Sequence, residues 1–386
     1  MYWYLYYTRM KTAYVHDRIF YWWGAEQVFA DLLTQHQDDH PQSQGRIFTL
    51  FSDKRSVEIE GRSYRVVTAL PWWCNWCIAY ISRHRLPVLS VLFEYRNLMV
   101  LYPLLVWLLS WKIRRWWATH VLISSFAAVK NLSVASGVDL TLYLHSPNQY
   151  IWENYRDYVR KFSFPIKQIF QFVSWYVRLW DKRPKRYTRC LANSHYTARC
   201  AHRYYGIPVD DIRVQYPQLN QAFVDRREPV EPHGYFLYIG RLVRFIKELD
   251  RLIALANMYR IPLLVMGSWS DEALLKAQSW DTITFIGHIR DPQQKKHILA
   301  HARGLLNITQ ESFGLVTAEA LSCGVPVFGY ARGWTPELMD EESGVLVTSK
   351  QPEDLVRGWE IFVSTTYDRQ GIQERFWKRY LSHTSS

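Results

Sequence analysis

The stretch Glu311-Ser-Phe-Gly-Leu-Val-Thr-Ala-Glu319 decides how this chain is to be read. The apolar run 305–309 in front of it reads as a buried strand. Behind it, a helix of roughly ten residues ends near Gly324. Ser312, Phe313 and Gly314 therefore form a loop that leaves a strand and opens a helix. Backbone N–H groups at such a helix start point outward unpaired, and the helix dipole favours an anion there. Gly314 has no side chain to keep a phosphate group away. Glu311 lies in the loop, beside whatever the phosphate carries. Glu319 lies a turn inside the helix, where a carboxylate can accept from both hydroxyls of a ribose. Glutamates at this spacing mean little alone; the strand, loop and helix around them make a candidate nucleotide diphosphate site.

Outward from this segment, the second half alternates strand-like and helix-like runs. Residues 235–240, 261–267, 282–287, 305–309 and 325–329 are apolar, and several end in glycine. Between them, 247–259 has Leu249, Leu252, Ile253 and Ala256 at helical spacing, and 271–278 is helix-like. Continuous apolar strands separated by amphipathic helices imply a parallel sheet covered on both faces. Ligands bind beyond the carboxyl ends of such strands. Arg241 closes the first of these strands and Lys247 opens the following helix. Two cations at that edge would neutralise a pyrophosphate leaving group without a metal, although a pair of surface cations is common in so basic a chain.

The first half is less regular. Residues 12–15, 121–125 and 140–144 read as strands and 25–33 as a helix. Residues 187–194 lead into a helix carrying Ala198, Ala201 and Tyr204. The polar segment 218–234, with Pro229 and Pro232, reads as a linker. A chain of 386 residues exceeds one ordinary core, so two domains are expected.

A formal charge of +12 suits nucleotide phosphates, nucleic acid or anionic lipid. Thirteen of the 18 tryptophans precede residue 186, and within 107–117 they alternate with Lys112, Arg114 and Arg115. That pattern fits a helix at a membrane surface and a core helix equally. The cluster Arg178, Lys182, Arg183, Lys185, Arg186 and Arg189 reads as a solvated face, or one meeting anionic lipid or phosphate. The most apolar run, 98–109, is about half the ~20 residues that span a bilayer. Residues 1–7 are aromatic but lack a basic start and a cleavage site, and read as an extension. Five scattered cysteines, including the CxxC of Cys74 and Cys77, do not make a disulfide framework or a zinc ribbon.

Gly240-Arg-Leu-Val, Lys247, the Glu311 to Glu319 segment and Gly324-Val-Pro-Val together resemble glycosyltransferase family 4. The likeness runs through nearly the whole chain. Val15-His16-Asp17 and Gly24-Ala25-Glu26 resemble that family's first strand and glycine turn. His145-Ser-Pro, with Tyr150 and Trp152-Glu153, resembles the His-Thr-Pro segment of mannosyltransferase-like members. Ala192-Asn193-Ser194, Arg199 and Tyr205-Gly206 resemble the end of the N-terminal domain. The resemblance implies the α/β GT-B fold, two Rossmann-like domains with parallel sheets facing a central cleft. It places an acceptor domain over 1–217, a linker over 218–234 and a nucleotide-sugar domain over 235–363. A last helix over 364–386 would pack back on the first domain.

The same resemblance implies a retaining enzyme that moves a hexose from a nucleotide-diphosphate sugar to a saccharide or lipid-linked acceptor in envelope glycan synthesis. Arg241 and Lys247 would bind the diphosphate and Glu319 the ribose. Glu311 would contact sugar hydroxyls, and backbone groups of Phe313, Gly314 and Leu315 would hold phosphate and sugar. His145 would hydrogen-bond the transferred sugar, and Gly24 would lie under the phosphates or acceptor. His145-Ser-Pro leans towards GDP-mannose as donor. No metal or other cofactor is expected, and the expected location is cytoplasmic, peripheral on the inner face of the membrane.

Two residues depart from the family pattern: Trp23 and Trp334 stand where paired glycines are usual. Such glycines permit positive φ or close approach, which tryptophan resists. A non-catalytic sugar-nucleotide-binding homologue is therefore the alternative reading. A nicotinamide enzyme lacks support because no GxGxxG follows a strand, and no motif supports nucleic-acid binding.

Overall fold

The computed structural model describes residues 10–20, 24–84, 97–182, 186–225 and 229–384. The expectations for residues 1–7, Trp23, Arg183 and Lys185 lie outside them. The chain forms two compact units, residues 1–215 and 216–386.

The first unit is built on strands β1 (Lys11–Ile19), β2 (Gln44–Ser52), β3 (Ser56–Ile59), β4 (Arg62–Thr68), β5 (His120–Ser125), β6 (Asp139–Leu144), β7 (Arg189–Ala192) and β8 (Ile212–Val214). They form one sheet in the order β3-β4-β2-β1-β5-β6-β7-β8. Every neighbouring pair is parallel except β3 and β4. That hairpin closes through Glu60 and Gly61, both left-handed (φ 46° and 72°), the turn whose twist matches the strands. β1 is buried on both faces, and its alternate residues serve two cores. Ala13 and Val15 join Leu105, Val106, Leu109 and Ile113 of the helix Tyr102–Arg115. Tyr14 joins Phe29 and Leu33 of the helix Gly24–Asp39.

The second unit carries β9 (Phe236–Ile239), β10 (Leu263–Met266), β11 (Ile283–Gly287), β12 (Gly304–Asn307), β13 (Val327–Tyr330) and β14 (Gly344–Val347). Its sheet is wholly parallel, in the order β11-β10-β9-β12-β13-β14. Growth of the sheet reverses direction at β9 and β12, which makes their carboxyl ends a topological switch point. The five strand-like runs of the second half each overlap one of these strands; β14 was not foreseen.

Lys247 does not open the long helix. It ends a single turn, Arg244–Lys247, and Glu248 then takes a left-handed conformation (φ 49°) before Leu249–Met258 begins. Residues of the expected linker pack within the second unit, where the Leu219 N–H donates to Tyr380 Oη at 3.0 Å. The last helix, Arg369–Leu381, belongs to this unit as well. Gln373 Nε2 donates to the Ser322 carbonyl at 2.7 Å, and Arg379 pairs with Asp340 at 2.7 Å.

Candidate functional site

At the switch point of the second unit, β9 runs into Gly240 and Arg241, and β12 into Thr309 and Glu311. Among the described residues the Arg241 guanidinium meets the ring of Trp269 at 5.9 Å and no carboxylate. Lys247 Nζ is paired with Glu311 Oε1, both side chains being largely buried. The Lys247 carbonyl accepts from Thr309 Oγ1 at 3.4 Å, so the one-turn helix is tied to the loop after β12. Asn307 Nδ2 lies 3.5 Å from Glu311 Oε2 and 3.2 Å from Thr317 Oγ1. The structure thus joins Lys247 to Glu311 and leaves Arg241 as an uncompensated cation on the same edge.

The helix Leu315–Ser322 starts at Gly314, whose carbonyl accepts from the N–H groups of Thr317 and Ala318 at 2.9 and 3.1 Å. Gly314 brings no capping side chain to this helix start, which is where N–H groups suit an anion. A Cβ on Gly314 would collide with the Glu311 carboxylate and lie 2.8 Å from Trp334 Nε1. Phe313 stacks on Trp334 with ring centres 4.1 Å apart. Trp334 sits in ordinary helical conformation (φ −90°), while Gly333 before it carries the positive φ of 81°. Tryptophan at 334 therefore imposes no backbone strain, contrary to the expectation from the family pattern. Glu319 is buried, and Lys295 Nζ approaches its Oε2 at 2.5 Å. Burial pushes its carboxyl above the ordinary range, and Lys295 opposes that shift. A ribose would have to join or replace that ion pair.

In the first unit the carboxyl ends of β1, β5 and β6 hold a chain of three side chains. Ser124 Oγ lies 3.0 Å from His16 Nδ1 and 2.7 Å from His145 Nε2. Both imidazoles are held down to about 3, chiefly by burial, and so are neutral near pH 7. Among the described residues His16 Nε2 is buried without a partner. An orphaned acceptor costs less than an orphaned N–H, so the proton of His16 belongs on Nδ1. Ser124 then accepts from His16 and donates to His145 Nε2, which leaves His145 with an N–H at Nδ1. The His145 carbonyl is fixed by Asn193 Nδ2 at 2.8 Å. Asp17 accepts from Ser125 Oγ and from the N–H groups of Phe126, Ala127, Ala128 and Val129, at 2.7–3.0 Å. Its work is to shape the loop after β5. Gly24 begins the helix after β1, and a Cβ there would meet nothing within 4 Å.

Sequence reasoning missed Ser124, Lys295 and the role of His16. It also missed the helix Ile166–Asp181, on which Ile169, Phe172, Trp175 and Leu179 are all more than half exposed. The 107–117 stretch divides between its two readings: Leu109 and Ile113 are core, while Trp107 and Trp111 face solvent. A groove of about 670 Å³ between these helices is lined by Leu104, Trp107, Ser110, Asn131, Tyr176 and Leu179, among others. The basic residues are less free than expected. Lys112 Nζ donates to the carbonyls of Thr68 and Ala69 at 2.7 and 3.0 Å, Arg114 donates to Ser133 O, and Arg178 to Ile151 O.

Residues 222–375 match the family model described as glycosyl transferases group 1. The O-antigen chain mannosyltransferase B of Escherichia coli is 32% identical over 106 residues, 24% of this chain and 28% of that protein. The chain thus aligns with little more than a quarter of that relative's length. A sucrose-phosphate synthase from Thermosynechococcus elongatus superposes with a TM-score of 0.64 at 16% identity, covering 97% of this chain and 95% of that one. Anabaena Alr3699/HepE in complex with UDP and glucose gives 0.54 at 14% identity, covering 97% and 100%. The likeness to these structures is one of fold, as their low identity allows. The chain has the GT-B fold with two Rossmann-like domains, and its residues 222–375 match the glycosyl transferases group 1.

Proposed function

We propose that this chain is a retaining glycosyltransferase of family 4 that transfers a hexose from a nucleoside-diphosphate sugar to a saccharide or lipid-linked acceptor. One observation carries the reading. An arginine with no carboxylate partner among the described residues, a lysine and the helix start at Gly314 converge on the carboxyl edge of the second unit's switch point, beside a loop glutamate. That is a set of donors for a diphosphate whose charge grows as it leaves. The bond between the sugar's anomeric carbon and the diphosphate oxygen breaks. The acceptor oxygen bonds to the same face of that carbon, and its proton passes to the leaving phosphate. Lys247 turns from Glu311 towards the diphosphate, and Glu311 then meets the sugar hydroxyls.

Arg241 and Lys247 take the place that a divalent cation holds in other transferases. Activity should then stay within about twofold on chelation, and loss restored by Mg²⁺ or Mn²⁺ would remove this part of the reading. The likeness to an O-antigen chain mannosyltransferase supports mannose, and GDP with it, as the donor and an envelope glycan as the product. The exposed aromatic helices of the first unit support a peripheral position on the cytoplasmic face of a membrane. The decisive experiment assays nucleoside diphosphate release from a panel of nucleotide sugars. Turnover with GDP-mannose and little with UDP-sugars is expected. Preference for a UDP-sugar would replace the donor, and inertness with every donor would overturn the enzyme.

A further inference from the structure

Trp334 Nε1 is a buried N–H without a partner among the described residues. Its indole cannot turn away easily: it is fully buried, stacked on Phe313, and its backbone N–H donates to the Glu311 carbonyl at 3.1 Å. The place a Cβ on Gly314 would fill is 2.8 Å from this nitrogen and closer still to Glu311 Oε2. Indole nitrogen and carboxylate oxygen therefore border the same gap, with only glycine between them. A buried N–H left unpaired is costly and is kept where a partner arrives at another stage. Glu311 is held by Lys247, and among the described residues its second oxygen has only the long approach to Asn307.

We infer that Trp334 is a positioning residue for Glu311: its indole N–H takes the carboxylate when a nucleoside diphosphate draws Lys247 away. This rests on the reading of Lys247 as a diphosphate ligand. Loss of Lys247 would otherwise leave a largely buried carboxylate without a cation and free to swing. The N–H bond from Trp334 fixes its plane, so that its other oxygen faces the sugar hydroxyls.

The indole N–H resonances of the full chain, labelled with ¹⁵N, report this directly. The Trp334 signal is assigned by its disappearance in Trp334→Phe, which keeps a stacked ring but no N–H. In the free wild type it should lie at a field typical of an unbonded indole and move downfield on saturation with GDP or UDP. In Lys247→Ala it should already lie downfield with no nucleotide, because Glu311 has lost its cation. Trp334→Phe should lower kcat about tenfold with donor KM nearly unchanged. A signal unmoved by bound nucleotide and unmoved by Lys247→Ala would overturn the inference. If neither nucleotide binds, the donor-site reading fails, and the Lys247→Ala spectrum still decides the role of Trp334.

Discussion

Arg241 and Glu319 should separate chemistry from binding. On the proposed reading the cation of Arg241 faces a charge that grows during the reaction, so Arg241→Ala should cut turnover about a hundredfold with the donor KM within a few-fold. A purely raised KM would show that the residue holds the ground state only. Glu319→Gln should act on the donor KM instead, by about tenfold, since charged hydrogen bonds to a diol are made before and during reaction. The ion pair with Lys295 adds a second effect: the amide leaves that ammonium uncompensated beside a buried site, so the melting temperature should fall as well. The histidine pair gives a pH test. His16 and His145 titrate near 6.5 when exposed and about 3 here, so between those values the unfolded chain binds more protons. Their contribution is complete above about pH 6.5 and is lost as pH falls towards 3, at about 1.4 kcal/mol per pH unit for each ring. Urea midpoints measured from pH 7 to pH 5 should fall, and His16→Gln should flatten the slope. A flat profile in the wild type would mean that the rings are not held neutral.

The loops after β12 and β13 behave as one element, joined where Gly333 lies against Glu311. A Cβ at Gly333 would enter the Glu311 backbone, and its φ of 81° is left-handed. Gly333→Ala should therefore destabilise the fold by about 1–3 kcal/mol in urea titration, whereas Gly24→Ala, with open space around it, should stay within about 0.5 kcal/mol. Equal costs at the two sites would contradict this placement. The strands of the second half were legible because each is a short apolar run between polar breakers. The Glu311 to Glu319 segment was legible because its strand, glycine and helix follow one another directly. β14, Gly344–Val347, is no shorter than β9 or β12, but its apolar run ends with the strand itself, between Glu342 and Lys350, whereas the other runs extend beyond their strands. The helix Ile166–Asp181 has polar Lys167, Gln171, Ser174 and Arg178 at helical spacing and was open to a sequence reading; what the sequence hides is that much of its apolar stripe faces solvent. Its anchor is equally silent in sequence: buried Lys130 pairs with Asp181, 51 residues away, at 2.5 Å, and Trp152 Nε1 donates to the same carboxylate. A contact made only by folding leaves no local spacing to read.

Across the whole molecule, charge and aromatic exposure point to one further behaviour. The chain carries +12, and no helix among the described residues is long and apolar enough to cross a membrane. Attachment would therefore lie in the plane of the surface, through the exposed rings of Trp107, Trp111, Phe172 and Trp175. Each basic residue near an anionic surface contributes roughly 1 kcal/mol, decaying within a Debye length. Lys112, Arg114 and Arg178 hold backbone carbonyls of their own unit, which limits how far they can follow lipid phosphates. Burying an aromatic ring contributes roughly 1.5–3 kcal/mol, and that term does not respond to salt. The full chain should then pellet with vesicles containing anionic lipid, poorly with neutral ones, and high salt should release only part of it. Phe172→Ser combined with Trp175→Ser should weaken binding at least tenfold while leaving nucleotide affinity unchanged, because both side chains lie in the first unit and the proposed diphosphate ligands in the second. Complete release by salt would assign the attraction to charge alone. Failure to pellet with either vesicle would make this face a surface for something other than lipid, and the acceptor a soluble saccharide.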